Sequence, residues 1–311
     1  VLGIDTSNYK TSVAVVNSDG ETVQDLRRPL AVKEGERGLR QSHALFQHLE
    51  ALPQLIGEAV AGNGGRFAAV SVSTRPRPVA SSYMPVFKAG ENIAMVFSHA
   101  LGIPVYKFSH QEGHIEAVKN CSSFKGKEKF LCYHLSGGTS ELLSVDGSTI
   151  EIIGGTKDIS FGQAIDRTGV LLGMPFPCGG QFDEISLKAG RQSSFLKDIP
   201  VDGLFVNLSG MEAQAARVVG SGVSESEKDM LIKEIIDKIA GALVKLTERA
   251  VAETGISDVL FTGGVSSSKY LFGALHACFD STEVNVDFGD QALSSDNAVG
   301  IAVLGGRQLW Q

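Results

Sequence analysis

Of seven histidines in 311 residues, two, His110 and His114, share the stretch S-H-Q-E-G-H. Positions four apart project from one helix face. Two imidazoles placed so could share a metal, cap a polar cleft or face water. The same stretch excludes one chemistry. A metalloprotease of the H-E-x-x-H type needs a glutamate directly after the first histidine, as base for metal-bound water. Gln111 stands there and cannot take a proton, and Glu112 would point about 200° around a helix from His110. Three turns suit an anion instead. "GIDTSN" places Asp5 between a strand and a Thr/Ser turn, "LSGGTSE" places Ser136, Gly137 and Gly138 in another, and "FTGGVSSSKY" ends a strand at Gly263 and Gly264 and opens a helix. Adjacent glycines let backbone N–H groups approach an oxyanion, and a helix N-terminus carries partial positive charge. No Ser-His or Cys-His arrangement offers a covalent nucleophile.

These residues need elements to hold them. The opening reads strand, polar turn, strand, Asp-Gly turn, strand. A helix follows, with Leu39, Leu45, Phe46, Leu49, Leu52 and Ile56 at helical spacing and Pro53 a kink. Next come the strand "FAAVSVST", a second helix and the strand "IPVYKFS". After the histidines the meander repeats in "FLCYHLSGGTSELLSVDGSTIEIIGG", and helices alternate with the strands "DVLFTGGV" and "EVNVDF". A duplicated β-β-β-α-β-α unit predicts an α/β protein of two similar lobes with a cleft between them.

Bulk properties narrow the class. A hydrophobic fraction of 43% and a charged fraction of 20% are those of a globular protein. No apolar run approaches the roughly 20 residues of a membrane span, and the start reads as a strand rather than a secretory signal. Cys121, Cys132, Cys178 and Cys278 are scattered, so neither a disulfide framework nor a thiolate zinc site is indicated, and the cytoplasm is the expected compartment. A net charge of −7 argues against gripping nucleic acid unaided. A local basic stretch holds Lys119, Lys125, Lys127 and Lys129.

The three turns in a duplicated fold describe a nucleotide cleft, and the arrangement resembles the actin, sugar-kinase and Hsp70-ATPase superfamily of two ribonuclease-H-like lobes. Within it, "SHQEGH", "LSGGT", "GQAIDRTGVLLG", "GGVSSSKYL" and "SSDNAVGIA" resemble, in order and separation, the motifs of the TsaD family. Those enzymes are tRNA threonylcarbamoyltransferases, long mislabelled O-sialoglycoprotein endopeptidases. The resemblance implies a lobe over residues 1–108, with the helix 297–311 packing back on it, and a second lobe over 109–296 carrying the metal and nucleotide motifs. It implies one divalent metal on His110, His114 and Asp296. Two imidazoles and a carboxylate suit iron(II) or zinc and leave positions open for substrate oxygens. His134, Leu135, Ser136, Gly137 and Gly138 would take phosphate and substrate, with Gly263, Gly264 and Ser268 at the second turn. Asp166 and Asp183, with Gly179 nearby, would accept hydrogen bonds from ribose or threonyl groups.

The implied ligand is threonylcarbamoyl adenylate, or ATP or AMP, and the implied acceptor is the adenosine beside the tRNA anticodon. The implied partners are tRNA, a smaller protein of the same fold and an accessory ATPase, with no membrane. Three departures from the family pattern bear on the acceptor. Thr139 stands where the family has histidine, Ser268 and Lys269 stand where it has Asn-Arg, and Arg75, Pro76, Arg77 and Pro78 replace a glycine turn. A paralogue that uses a carbamoyl or acyl adenylate with another acceptor, or a nucleotide-binding partner subunit without catalysis, is the alternative.

Overall fold

The computed structural model describes every residue except 8, 33–38, 80, 191–192 and 311. Asn8 of the first turn, Gly38 at the head of the first helical stretch, Ala80 of the proline-rich turn and Gln311 of the last helix lie outside the described residues. Contacts divide the chain into two compact units, Val1–Lys125 with Ala292–Gln311, and Gly126–Gln291.

In the first unit β1 (Leu2–Thr6), β2 (Lys10–Val16) and β3 (Thr22–Pro29) form the antiparallel meander. β4 (Val70–Arg75) and β5 (Val105–Ser109) add to it in parallel, giving the order β3-β2-β1-β4-β5. All five residues of β1 are buried, as a strand covered on both faces requires. On one face Leu2, Ile4, Val13, Val15, Val70 and Val72 pack with Leu52, Leu55 and Ile56 of α1 (Gln41–Gly62) and Ala89 and Ala94 of α2 (Phe87–Leu101). On the other, Val1, Ala14 and Val16 meet Val299, Ala302 and Val303. The buried stripe of α1 is built from small and polar positions, Ala44, His48 and Ala51, beside Leu52, Leu55 and Ile56. Phe46 and Leu49, two of the residues whose spacing marks the helix, are 62% and 46% exposed.

α3 (His110–Asn120) and α9 (Val299–Trp310) cross at glycines: a Cβ on Gly300 would lie 1.9 Å from the Gly113 carbonyl oxygen. That approach ties α3 to α9, which itself packs on β1, where a Cβ on Gly3 would sit 2.5 Å from the Ala298 carbonyl oxygen. The histidine helix and Asp296 therefore belong to the first unit, whereas the sequence assigns 109–296 to the second lobe.

The second unit repeats the plan. β6 (Lys129–Leu135), β7 (Ser140–Asp146) and β8 (Thr149–Thr156) are an antiparallel meander. β11 (Asp258–Thr262) and β12 (Asn285–Asp287) extend it in parallel from β6, with the connectivity of the first sheet. The hairpin of β9 (Val201–Asp202) and β10 (Phe205–Val206) lengthens its β8 edge. Its helices are α4 (Phe161–Leu171), α5 (Gly179–Lys188), α6 (Ser209–Gly220), α7 (Glu225–Thr254) and α8 (Lys269–Phe279). No described helix is long and apolar enough to cross a membrane.

Candidate metal centre and anion-binding turns

β5 ends at Ser109, whose hydroxyl accepts from the Glu112 N–H while the Glu112 carboxylate accepts from the Ser109 N–H. This capping box fixes where α3 starts. The Pro76 carbonyl, in the turn that departs from the family pattern, takes the Gln111 N–H of the same first turn. Glu112 is thereby spent on the cap. Glu116, itself buried, is spent on a part-buried ion pair with Arg307 of α9.

His110 and His114 then emerge together, with their Nε2 atoms 3.0 Å apart. Asp296 reaches the same point from the chain leading into α9: its Oδ1 lies 3.2 Å from His114 Nε2 and 3.6 Å from His110 Nε2. For a tetrahedral ion with bonds of about 2.0–2.1 Å, ligand atoms stand roughly 3.3–3.4 Å apart. The three donors form such a triangle, and among the described residues they are the only histidine, cysteine or acidic group of this kind. Two neighbours complete the setting. The His110 Nδ1–H donates to Asp5 Oδ1 at 2.8 Å, which aims Nε2 at the centre, where its lone pair becomes free once that nitrogen gives up its proton. The Ser7 hydroxyl donates to Asp296 Oδ2 at 2.7 Å. Asp5 is fully buried, and its Oδ2 has no hydrogen-bond partner among the described residues.

The segment carrying Asp296 is held from the meander. Lys10 donates to Ser295 Oγ, Arg27 donates to Ser295 Oγ and the Ala292 carbonyl, and Asn297 Oδ1 accepts from the first N–H groups of α9. Burial disfavours the His110 cation, but the Asp5 and Asp296 carboxylates outweigh it and raise its pKa to about 10. Burial and then the His110 charge push His114 down. Burial also opposes the Asp296 charge, yet the two imidazoles hold that carboxyl well below its ordinary range. The two carboxylates thus favour one positive charge shared between the two rings.

In the second unit the glycine turns meet at the end of β6. Ser136 and Thr139 close the β6–β7 hairpin by mutual hydrogen bonds. The first turn of α4 packs under it: Ser160 Oγ donates to the Gly137 carbonyl, and a Cβ on Gly162 would lie 2.6 Å from the Gly137 Cα. Gly263, at φ 93°, passes so close to β6 that a Cβ would stand 2.4 Å from the Leu135 carbonyl oxygen. Only glycine fits there. Leu135–Gly138, the head of α4 and Gly263–Gly264 thus make one backbone cradle, with His134 buried on β6 at its base. Ser160, which lies outside every quoted motif, and Gly162, which opens the "GQAIDRTGVLLG" stretch, both belong to it.

The remaining sequence candidates have local partners. Asp166, one helical turn after Gly162, accepts from the Cys178 N–H at 2.8 Å, beside Gly179 at the head of α5. Half-burial raises its pKa against that hydrogen bond. Asp183 accepts from Ser268 Oγ at 2.5 Å and from the N–H groups of Lys269 and Tyr270, while Ser268 caps α8. Both therefore hold the first turn of α8. Of the basic stretch, Lys127 pairs with Asp258, Lys129 pairs with Asp146, and Lys119 is buried.

A family model described as tRNA N6-adenosine threonylcarbamoyltransferase matches residues 37–303. A relative of that name from Neorickettsia sennetsu is 28% identical over 97% of this chain and 91% of its own length. Another from Thermus thermophilus is 29% identical over 99% of this chain and 92% of its own. Among solved structures, component A of the (R)-2-hydroxyglutaryl-CoA dehydratase of Acidaminococcus fermentans superposes with a TM-score of 0.59 at 16% identity, covering 100% of this chain and 99% of that one. A ROK-family glucokinase from Streptomyces griseus gives 0.53 at 12%, covering 99% of each. At these identities the likeness is one of fold, that of the sugar-kinase and actin-like ATPase class.

Proposed function

Because this chain belongs to the TsaD family of tRNA N6-adenosine threonylcarbamoyltransferases, we propose that it moves a threonylcarbamoyl group from threonylcarbamoyl adenylate to the adenosine beside the tRNA anticodon. The observation that carries the proposal is the convergence of His110, His114 and Asp296, three donors that would hold a Lewis-acidic ion suited to such a transfer. The exocyclic N6 attacks the carbamoyl carbon, the bond from that carbon to the phosphate oxygen breaks, AMP leaves, and N6 gives up a proton. No protein nucleophile takes part.

Within the first unit His110, His114 and Asp296 would hold one divalent ion, iron(II) or zinc. Asp5 fixes the His110 ring, and the Asp5 and Asp296 carboxylates would balance the charge of such an ion. A bound ion of this kind supplies polarisation of the carbonyl under attack. Within the second unit the N–H groups of the Ser136–Gly138 turn and of the Gly263–Gly264 turn suit a phosphate, whose charge grows as the leaving group departs. Asp166 keeps one carboxylate oxygen beyond its bond to Cys178, which suits a ribose hydroxyl. Asp183 and Ser268 serve the cradle from behind, through α8. A chain of net charge −7 supplies little phosphate neutralisation. This supports tRNA delivery with help from a smaller protein of the same fold and an accessory ATPase, in the cytoplasm.

The test incubates the protein with threonylcarbamoyl adenylate, tRNA and the partner proteins, and analyses the nucleosides after digestion. The modified adenosine should form, and His110→Ala should lower its yield at least 100-fold, together with loss of one bound metal equivalent. No product under conditions where a Thermus thermophilus relative works would overturn the tRNA acceptor and favour a small-molecule or protein acceptor.

A further inference from the structure

A buried chain of polar groups runs from the middle of α1 to one oxygen of Asp296. His48 is fully buried, with Thr11 Oγ1 2.8 Å from its Nδ1 and the Ser7 carbonyl oxygen 2.7 Å from its Nε2. A carbonyl can only accept, so Nε2 carries the proton and Nδ1 accepts from the Thr11 hydroxyl. The ring is the neutral ε tautomer, in keeping with burial, which lowers its pKa. Ser7 in turn donates its hydroxyl to Asp296 Oδ2. The other oxygen, Oδ1, is the one 3.2 Å from His114 Nε2.

We infer that Ser7 and His48 are positioning residues for Asp296. His48 fixes the Ser7 backbone just beyond β1, and Ser7 ties down Oδ2, so that the carboxylate offers Oδ1 alone to the ion held by the two histidines. Burying three polar side chains in an apolar layer costs free energy unless each is paired. Here the pairing passes through Ser7, just beyond the end of β1, and goes further than holding that turn. It ends on the one acidic residue of the cluster. A monodentate carboxylate keeps the coordination number low, and so keeps positions open for substrate oxygens.

The inference rests on the metal reading of the histidine cluster, and the test separates the two. Zinc affinity of the full-length protein is measured by competition with a chromophoric chelator. The visible spectrum of the cobalt(II)-loaded protein reports coordination number, and thermal unfolding in EDTA reports the fold alone. Ser7→Ala should weaken zinc binding roughly 10–100-fold. It should also shift the cobalt spectrum towards the weak bands of higher coordination, with unfolding in EDTA close to wild type. Ser7→Thr, which keeps the hydroxyl, should restore affinity to within about threefold of wild type, a shift of roughly 0.6 kcal/mol. His48→Leu should follow Ser7→Ala, and His48→Gln, which can still donate to the carbonyl, should fall between it and wild type.

The inference is overturned if Ser7→Ala binds zinc and colours cobalt as wild type does, or if Ser7→Thr loses as much as Ser7→Ala. Should His48→Leu fail to fold, the Ser7 pair decides. Wild type that takes up no zinc, or His110→Ala that still does, refutes the metal reading itself, independently of Ser7.

Discussion

Three carboxylates, Asp296, Glu234 and Asp158, do three different jobs, and each is set by its donors. Asp296 faces imidazoles and is held as an anion for a cation. Glu234, buried in α7, accepts from the Ser193 hydroxyl and from the Phe195 and Leu196 N–H groups, so it anchors a loop. Asp158 accepts from the N–H groups of Ile159, Leu208 and Ser209 and steadies the start of α6. Partial burial works against the Asp158 charge, but the Ser209 hydroxyl and these backbone donors outweigh it and hold its pKa below the ordinary range. A depressed folded-state value contributes stability above the unfolded pKa of about 3.9, and that stability is lost as pH falls through the lower value. Asp158→Ala should therefore lower stability at pH 7 by less than about 1 kcal/mol, given its exposure. In urea unfolding from pH 7 to pH 2, the two curves should converge below pH 4.

Elements, rather than single side chains, decide whether the cluster forms. Gly300 and Gly113 let α3 and α9 touch backbone to backbone, and Asp296 stands just before α9 while His114 stands just after Gly113. Gly300→Ala must push the two helices apart. The expected cost is about 3 kcal/mol in chemical denaturation, with zinc affinity reduced at least tenfold because the donor triangle opens. Gly241→Ala, in mid-α7 with nothing within 4 Å of the added carbon, should instead stabilise by roughly 0.5–1 kcal/mol and leave zinc binding unchanged.

Both meanders, the histidine helix and the glycine turns were legible in the sequence because their signals are local: alternation, Asp-Gly turns and a four-residue spacing. α6 was not, since it buries only Met211 and Ala215 and so lacks an apolar stripe. The helical spacing marks α1 without giving its buried face. Alanines and one histidine line the core beside Leu52, Leu55 and Ile56, while Phe46 and Leu49 face outward. Asp5 and Ser7 carry no signal of their role, because their partners are 105 and 289 residues away.

At the scale of the whole molecule, the first unit is discontinuous in sequence: Val1–Lys125 is completed by the segment from Ala292 onward, and the second unit is one unbroken stretch. α9 covers the face of β1 and β2 formed by Val1, Ala14 and Val16. A chain ending after Gln291 should keep slow amide exchange in the second unit. In the first unit it should lose that protection and bind no zinc, as hydrogen exchange and chelator competition would show. A ribosome delivers residues in order, and domains tend to fold as they emerge. Both imidazoles therefore leave the exit tunnel long before the aspartate proposed to share their ion, with most of the second unit still to be translated. Nascent chains paused in that interval carry two of the three proposed ligands, so on that proposal full-strength ion capture waits for residue 296.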